Sequence, residues 1–386
     1  MPTFKDLFPL GKIVSSEDVV DREEFIEETK LRLLQGQSVM LSGPRRIGKT
    51  SVAYEILRQL QEAGAYVAKI DLFHVTSIEE LGTKLLQAIV ENRTGVLHHA
   101  VYTLKQWKKE WLVSSEIHAK LYDLELGLTV ERSQSPLELL ETAIHTAEKM
   151  TSRDDKRMVI LLDEFQELDR LGGETLLKRL RSLFQQQQHT TYFFLGSERS
   201  LLTTLFADRR QAFYRFATIL PLPQIPDVKW RTYIINKLQE RTMTITEPAL
   251  DWLLDKTGSH PYCLMSVMSN AYLLGIMGHQ TVIDVEILYT AFERSMSQLE
   301  AVYEEQWQEI RSHKGLDRVL TSILLNQPIH HQTEGISNVS RAVQTLIRLA
   351  IIQKGEHRGK YHVMEPMFGD WVLRKRGESI SPHSDH

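Results

Sequence analysis

A glycine-bounded loop that ends in a lysine and a threonine is the strongest chemical signal in the chain. Residues 43–50 follow the pattern G-x-x-x-x-G-K-[ST], after a short apolar run and before a helix-forming run. In such a loop, backbone N–H groups surround a phosphate, the lysine reaches the β- and γ-phosphates, and the hydroxyl holds Mg²⁺. The pattern therefore predicts ATP and Mg²⁺ as cofactors, with Thr50 as a metal ligand. The predicted binding residues are Gly43, Pro44, Arg45, Arg46, Ile47, Gly48, Lys49, Thr50 and Ser51.

A pair of carboxylates follows the apolar run at residues 158–162. Asp163 and Glu164 have the form of a Walker B segment, and ligands gather at the carboxyl ends of strands in parallel sheets. We expect Asp163 to bind Mg²⁺ and Glu164 to orient and deprotonate the attacking water. The alternative is an ordinary strand end followed by an acidic helix start.

Two further groups could act on the transferring phosphoryl group. Ser197 follows the next apolar run, so it could touch the γ-phosphate or the water, or instead cap a helix. Arg209, Arg210 and Arg215 precede the last apolar run, and an arginine finger from a neighbouring subunit is one role open to them.

The elements needed to position these residues are those of a parallel α/β domain. Non-alternating apolar runs at 66–72, 158–162, 191–195 and 217–222 indicate strands that are covered on both faces. Helical patterns begin at Asp21 and cover 78–90 and 136–150, and residues 1–20 are interpreted as an extended lead-in.

The regular alternation is interrupted at 92–135, which we interpret as an insertion. It contains His98 and His99, but no third ligand stands at a metal-site spacing, so packed or surface histidines are favoured. Prolines 221, 223 and 226 mark a domain boundary, since proline does not continue a central strand. The nucleotide-binding domain is therefore predicted to cover 1–222, and residues 377–386 are predicted to form a disordered tail.

Composition excludes several classes of protein. The net charge of −4 argues against a protein that coats nucleic acid non-specifically, although a local basic face is compatible with it. The single cysteine, Cys263, cannot form an internal disulfide. There is no apolar run of membrane-spanning length and no signal-peptide profile, so we expect a cytoplasmic protein with no membrane partner.

Taken together, the motifs resemble a known family. The segments 20–23, 43–50, 160–164, 196–197 and 214–217 resemble the AAA+-related ATPases of the STAND class, in the archaeal-type ATPase branch. The resemblance implies that Val20 and Arg22 lie by the adenine and that Arg215, which follows an aromatic residue before the last strand, is the leading candidate for the finger. It also implies a helical lid at 223–304, whose Gly-x-x-Pro segment brings His260 and Pro261 to the nucleotide.

The resemblance continues to the C-terminal part of the chain. Residues 316–325 and 338–349 are similar to the first and third helices of a winged helix, and 351–354 with 360–364 are similar to its wing. The segment 365–371 is similar to the family's closing motif. The implied fold is a P-loop NTPase of the AAA+/STAND type, with a parallel-sheet α/β domain, a helical lid and a winged-helix domain at 305–376.

The implied function is a nucleotide-switched ATPase that often forms homo-oligomers or binds a protein partner. A sensor-2 arginine is not evident on the lid, so slow hydrolysis is expected. One alternative is an ATP-dependent DNA-binding protein, initiator-like or transposition-linked. Its predicted DNA-contacting residues are Ser340, Arg341, Gln344, Arg348, Lys354, Arg358 and Lys360. Another is a signalling or defence module that docks a partner on the insertion and holds nucleotide with little turnover.

Overall fold

The computed structural model describes residues 6–93, 135–196, 204–327, 339–355 and 359–377. The chain divides into two compact units. The sheet unit comprises Glu23–Gly43 and Lys49–Leu222, and the helical unit comprises the segment that ends at Arg22, the turn Pro44–Gly48 and the chain from Pro223 onward. Most of the predicted insertion, the residue Ser197 and the predicted tail beyond residue 377 lie outside the described residues.

The sheet unit is built on five parallel strands in the order β2-β3-β4-β1-β5. These strands are β1 (Val39–Ser42), β2 (Tyr66–Asp71), β3 (Met158–Asp163), β4 (Thr190–Phe194) and β5 (Thr218–Pro221). The first five residues of β3 are all buried, which explains why its sequence does not alternate. The predicted parallel sheet is therefore confirmed.

Helices cover both faces of this sheet. They are α1 (Glu23–Leu34), α2 (Lys49–Glu62), α3 (Ile78–Arg93), α4 (Pro136–Asp154) and α5 (Glu167–Gln185). Met40, Ile160 and Phe194 pack in one apolar core with α3, α4 and α5, while α1 and α2 contact the strands elsewhere. Because neighbouring residues of a strand point to opposite faces, both sets of side chains are removed from water.

The edge strand β5 carries a proline where the register pairs Pro221 with Ser42. Proline lacks the N–H that a further strand would need, so it is tolerated at an edge and not in the middle of a sheet. The two compact units divide next to this proline, between Leu222 and Pro223.

The helical unit has a separate apolar core. Its helices are α6 (Asp227–Gln239), α7 (Glu247–Thr257), α8 (Pro261–Met277), α9 (Val285–Ser312), α10 (Leu316–Leu324), α11 (Val339–Arg348) and α12 (Pro366–Lys375). Two short parallel strands, β6 (Thr244–Ile245) and β7 (Val282–Ile283), pair within it, and β8 (Ile352–Lys354) forms an antiparallel pair with β9 (Tyr361–Val363). One continuous core runs from Trp230 in α6 to Val372 in α12.

The segment before Arg22 differs from the predicted extended lead-in. Ser16–Asp18 form a 3₁₀ turn, and Leu7 and Phe8 are buried in the core of the helical unit. Asp18 accepts hydrogen bonds from Tyr233 Oη at 2.8 Å and Lys237 Nζ at 2.7 Å. Two apolar side chains and a buried ion pair therefore fix the position of this segment. Its few apolar residues show neither a helical nor a strand periodicity, so the sequence did not predict it.

The longest helix in the described part of the chain, α9, has 28 residues. It passes through position 304/305, where the sequence predicts the boundary between lid and winged helix. Tyr303 and Trp307 on this helix are both buried in the same core as Phe368 and Trp371 of α12.

Candidate functional site

The phosphate-binding loop of the sequence joins β1 to α2. Ser42 ends the strand and Lys49 begins the helix, so the loop leads directly into a helix N-terminus, where backbone N–H groups have no partner within the helix itself. The Lys49 ammonium donates a hydrogen bond to the Gly43 carbonyl oxygen at 2.9 Å, and the residue is only 8% exposed. This hydrogen bond holds the Lys49 side chain across the loop, from the last residue before Thr50 back to Gly43.

The turn before Lys49 has the backbone that a phosphate cradle needs. Gly48 has φ +94°, a conformation that residues with a Cβ rarely adopt. Apart from its chain neighbours, no described residue has an atom within 4 Å of the position that its Cβ would take. Any other residue there would be strained and would place a side chain in the opening.

Asp163 at the end of β3 lies next to the first turn of α2. Its Oδ2 atom accepts from Thr50 Oγ1 at 3.5 Å. Burial raises the pKa of Asp163 to about 6, and the negative charges of Glu164 and Asp71 act in the same direction. A carboxylate kept in this environment without a compensating cation is destabilised, so the site favours binding of a positive ion.

Glu164 follows Asp163 in a strained backbone conformation, with φ +52°. Such a residue persists only where its surroundings fix it, and such conformations cluster at functional sites. Its neighbour Phe165 is fully buried against Phe194, with ring centroids 4.6 Å apart, and the Gln166 side-chain amide donates to the Glu164 carboxylate. The carboxylate therefore has a defined position beside Asp163.

Asp71 was missed in the sequence analysis. It ends β2 and is in register with Asp163, and its charge contributes to the raised pKa of that residue. Its Oδ1 accepts from the Phe73 N–H at 3.0 Å. The rule that strand ends meet at one edge of a parallel sheet would have found it, since residues 66–72 were already interpreted as a strand.

These residues fit Mg²⁺ bound together with a nucleotide. Mg²⁺ is usually held by one or two carboxylates and by substrate phosphates, not by an all-protein cage. Within the described ranges, no group of three or more His, Cys, Asp or Glu side chains is arranged to hold a metal. Thr50 and Asp163 would supply the protein ligands.

In the helical unit, the predicted adenine segment is ordered by charge and burial. Arg22 is 3% exposed and donates to the Pro223 carbonyl oxygen, and burial lowers its pKa to about 10. Asp21 pairs with Lys229 at 2.7 Å, and Val20 packs against the core of this unit. Burial of the Arg22 guanidinium beside one carbonyl partner therefore carries an unfavourable desolvation free energy.

The predicted lid residues His260 and Pro261 lie at the start of α8, where Pro261 is the first helical residue. His260 is 8% exposed, and its Nδ1 is buried without a hydrogen-bond partner. Burial and the charge of Arg46 lower the pKa of His260 to about 4, although a hydrogen bond to the Arg45 backbone acts in the opposite direction. His260 is therefore uncharged at neutral pH, and its hydrogen bond to the Arg45 backbone connects it to the phosphate-binding loop.

Arg46 of the loop contacts two side chains of the helical unit. It has φ +64°, its guanidinium carbon lies 4.5 Å from the centre of the Tyr262 ring, and Nη1 lies 3.4 Å from both carboxylate oxygens of Glu365. No sequence motif indicated Tyr262 or Glu365 as partners of the loop.

The predicted finger, Arg215, is exposed and has φ +54°. Its backbone N–H donates to the Phe206 carbonyl oxygen at 3.0 Å, and its guanidinium lies 5.2 Å from the centre of the Tyr214 ring. An exposed guanidinium is compatible with donation to a neighbouring subunit. The role predicted for Ser197 stays a prediction, because that residue lies outside the described ranges.

Residues 19–264 match the model of a family described as an ATPase domain predominantly from Archaea. The chain belongs to this family. The matched span of the archaeal-type ATPase contains the phosphate-binding loop, Asp163, Glu164, Arg215 and His260. The prediction of the archaeal-type branch is therefore confirmed.

Solved structures confirm the fold. A Walker-type ATPase of Pyrococcus abyssi matches with a TM-score of 0.69 at 17% identity, over 95% of this chain and 99% of that one. The ORC2 protein of Aeropyrum pernix, in its ADPNP and ADP complexes, matches with a TM-score of 0.56 at 13% identity, over 97% and 99%. The ORC1 protein of the same organism, in complex with DNA, matches with a TM-score of 0.50 at 14% identity, over 97% of each chain. At such identities the likeness shows a shared α/β P-loop fold with a helical C-terminal region.

No curated protein sequence matches the chain. Across the described ranges, none of the helices is both long enough and apolar enough to cross a lipid bilayer.

Proposed function

We propose that this archaeal-type ATPase binds and hydrolyses Mg-ATP and acts as a slow molecular switch. Lys49 binds the β- and γ-phosphates, Thr50 and Asp163 hold Mg²⁺, and Glu164 accepts a proton from the attacking water. The bound metal ion neutralises charge on the phosphates. Nucleotide state then controls the arrangement of the helical unit and the binding of a partner.

The observation that carries this proposal is the approach of Thr50 Oγ1 to Asp163 Oδ2 at 3.5 Å. A Walker A hydroxyl and a Walker B carboxylate share a metal ion in P-loop NTPases, so their side chains must come within reach of one cation. A chance match to the loop pattern, or an ordinary acidic strand end, would not require this approach.

The experiment that tests the proposal separates binding from hydrolysis. We expect Lys49→Ala to lose ATP binding in calorimetry, and Glu164→Gln to bind ATP at wild-type affinity while its turnover falls by about 10²-fold or more. Glu174→Gln is a matched control, since Glu174 pairs with Lys178 on an exposed face of α5. Turnover of Glu164→Gln at the wild-type rate would show that the assigned base is wrong, and failure of the wild-type protein to bind ATP would reject the proposal as a whole.

We further propose that Arg215 acts in trans within a homo-oligomer. The support is its exposure and its place before β5 within the family match. Arg215→Ala retains the nucleotide site, and Lys49→Ala retains the finger. A mixture of the two inactive variants should therefore regain part of the wild-type ATPase rate, whereas a mixture as inactive as its components would count against donation in trans.

The domain organisation that we propose is a P-loop domain at 1–222, a lid at 223–304 and a winged helix at 305–376, as in the STAND class. Its support is the sequence of elements at the C-terminal end, where α10 and α11 precede the antiparallel pair β8–β9 and the helix α12. The unit boundary at Leu222 and Pro223 supports the first division.

An ATP-dependent DNA-binding protein is the second candidate, and one observation favours it. Four polar residues of α11 are exposed while Ala342, Val343 and Leu346 are buried, so the polar face points outward. These residues are the four expected to enter a major groove: Ser340, Arg341, Gln344 and Arg348. Lys354 and Lys360 on the adjoining hairpin are also exposed, and Arg358 lies outside the described residues. ATP-dependent affinity for duplex DNA that falls steeply with salt would support this function, and a lack of DNA binding with ATP present would reject it.

A further inference from the structure

The phosphate-binding loop is held by the last part of the chain through one ion pair. Arg46 Nη1 lies 3.4 Å from both Oε1 and Oε2 of Glu365, although 319 residues separate the two in sequence. Both residues belong to the helical unit, which includes the turn Pro44–Gly48. The contact therefore joins a residue of the predicted phosphate site to the residue that immediately precedes α12.

Each side of this pair is fixed by a tyrosine. The Tyr303 hydroxyl donates to Glu365 Oε1 at 2.6 Å, and Tyr303 is fully buried in α9. On the other side, the Arg46 guanidinium lies 4.5 Å from the centre of the Tyr262 ring in α8. The guanidinium packs on an aromatic ring and the carboxylate accepts from a second donor. Both groups therefore have more fixed positions than the charged groups of an isolated surface ion pair.

The backbone of Arg46 is in an unfavourable conformation. A φ of +64° is unfavourable for a residue with a Cβ, and it persists where surrounding contacts hold it. The side chain of Arg46 is 34% exposed and that of Glu365 is 17% exposed, so one side of the arginine still faces solvent.

A triphosphate would compete with Glu365 for this arginine. Guanidinium groups bind phosphates and carboxylates with the same fork of donors, so occupation of Arg46 by one anion weakens its contact with another.

On this basis we propose that Arg46 and Glu365 form a latch, held closed by Tyr303, which a nucleoside triphosphate must open in order to bind. The proposal rests on the proposed ATP site and names how that site is regulated. Binding transfers Arg46 from the carboxylate to the phosphates, and the start of α12 loses its contact with the loop. The C-terminal segment thereby reports whether the loop is occupied.

The first test measures affinity for ATP and ADP by calorimetry with Mg²⁺ present. Glu365→Gln keeps the shape of the side chain and removes its charge, so we expect its Kd for ATP to fall about three- to tenfold. Tyr303→Phe leaves the charge and removes the hydrogen bond, so we expect a smaller change in the same direction. Glu304→Gln is the matched control, because Glu304 pairs with Lys375 at 2.7 Å on an exposed face and should leave Kd unchanged.

A double-mutant cycle assigns the effect to the pair. In an Arg46→Ala background, Glu365→Gln should change the ATP affinity much less than it does in the wild-type protein. An effect of Glu365→Gln that is equally large without Arg46, or a Kd that is unchanged or higher in Glu365→Gln, would overturn the latch.

Hydrogen exchange gives a readout that does not depend on catalysis. On ATP binding, amides at the start of α12 should exchange faster in the wild-type protein, and equally fast with and without ATP in Glu365→Gln. Unchanged or slower exchange there in the wild-type protein would also overturn the proposal. Absence of ATP binding in every protein would reject the proposed function and the latch with it, whereas equal binding by wild type and Glu365→Gln would reject the latch alone.

Discussion

Thr50 Oγ1 and Asp163 Oδ2 lie 3.5 Å apart in a chain that separates them by 113 residues. The distance results from the parallel sheet, which brings the end of β3 to the edge where α2 begins. The fold therefore brings together two side chains that the sequence assigns to one metal ion.

The first prediction concerns Thr50. Loss of its hydroxyl in Thr50→Val removes one metal ligand and leaves the lysine and the loop intact. We expect the rise in Tm on addition of ATP to become independent of Mg²⁺, while wild type shows a larger rise with Mg²⁺ than without it. Thr83→Val provides the control, since its hydroxyl donates to the Glu79 carbonyl oxygen on a helix surface. A Mg²⁺-dependent rise of wild-type size in Thr50→Val would contradict the assignment.

The second prediction concerns Asp163, whose pKa is raised by burial from 3.8 to about 6. The unfolded chain releases the Asp163 proton at lower pH than the folded chain. The contribution of Asp163 to the free energy of unfolding therefore declines as pH rises from about 4 to above about 6. By about pH 7 the ionised carboxylate costs the nucleotide-free protein about 3 kcal/mol. Thermal melts should therefore show Asp163→Asn to be more stable than wild type at about pH 7, with the difference shrinking towards about pH 4. A variant that is less stable at every pH would show that the carboxylate is not destabilising.

The third prediction concerns His260, whose pKa is lowered to about 4. The unfolded chain takes up this proton first as pH falls below about 6.5, so stability that is present at neutral pH is lost towards pH 4. Denaturant melts should show that wild type loses about 2 kcal/mol more than His260→Gln between about pH 7 and about pH 5. The exposed residue His74 supplies a control, and His74→Gln should follow the wild-type curve.

The fourth prediction concerns Phe165, which is fully buried next to Glu164. Its ring centroid lies 5.0 Å from that of Phe213 and 5.6 Å from that of Phe206. Phe165→Leu leaves a gap that should cost about 1–3 kcal/mol and let the Glu164 carboxylate shift. We expect kcat to fall while the Kd for ATP stays near the wild-type value. Phe184→Leu is the control, because Phe184 stacks on Tyr192 at 3.6 Å and should lose stability without the same loss of kcat.

The fifth prediction distinguishes the second candidate function. If α11 contacts phosphates, Arg341→Ala with Arg348→Ala should reduce the slope of log affinity against log salt by up to about 2. Arg294→Ala on α9 removes an exposed positive charge elsewhere in the same unit. A slope that changes equally in both proteins would show a general charge effect and not a defined contact.

The local parts of the site were predictable from sequence because they are contiguous. A glycine loop between an apolar run and a helical run, and an acidic pair after a buried strand, each fall within about ten residues and carry their own periodicity. The strands of the sheet were found for the same reason, with ends that differ by one or two residues, as expected at frayed boundaries.

Long-range contacts were not predictable in this way. Arg46 meets Glu365 across 319 residues of sequence, and no local pattern specifies that partner. The strands β6 and β7 have two residues each, too few for an alternation to show. Leu7 and Phe8 enter a core through a segment whose sequence has neither helical nor strand period.

The length of α9 has a practical consequence for work with fragments. A helix of 28 residues extends about 42 Å, and its two halves bury side chains in the same apolar core. A polypeptide that stops at residue 304 would retain Tyr303 but lose Trp307, Phe368 and Trp371, which share its surroundings. Such a fragment would expose a broad apolar face and aggregate, so the lid and the C-terminal helices are best produced as one piece that ends after α12.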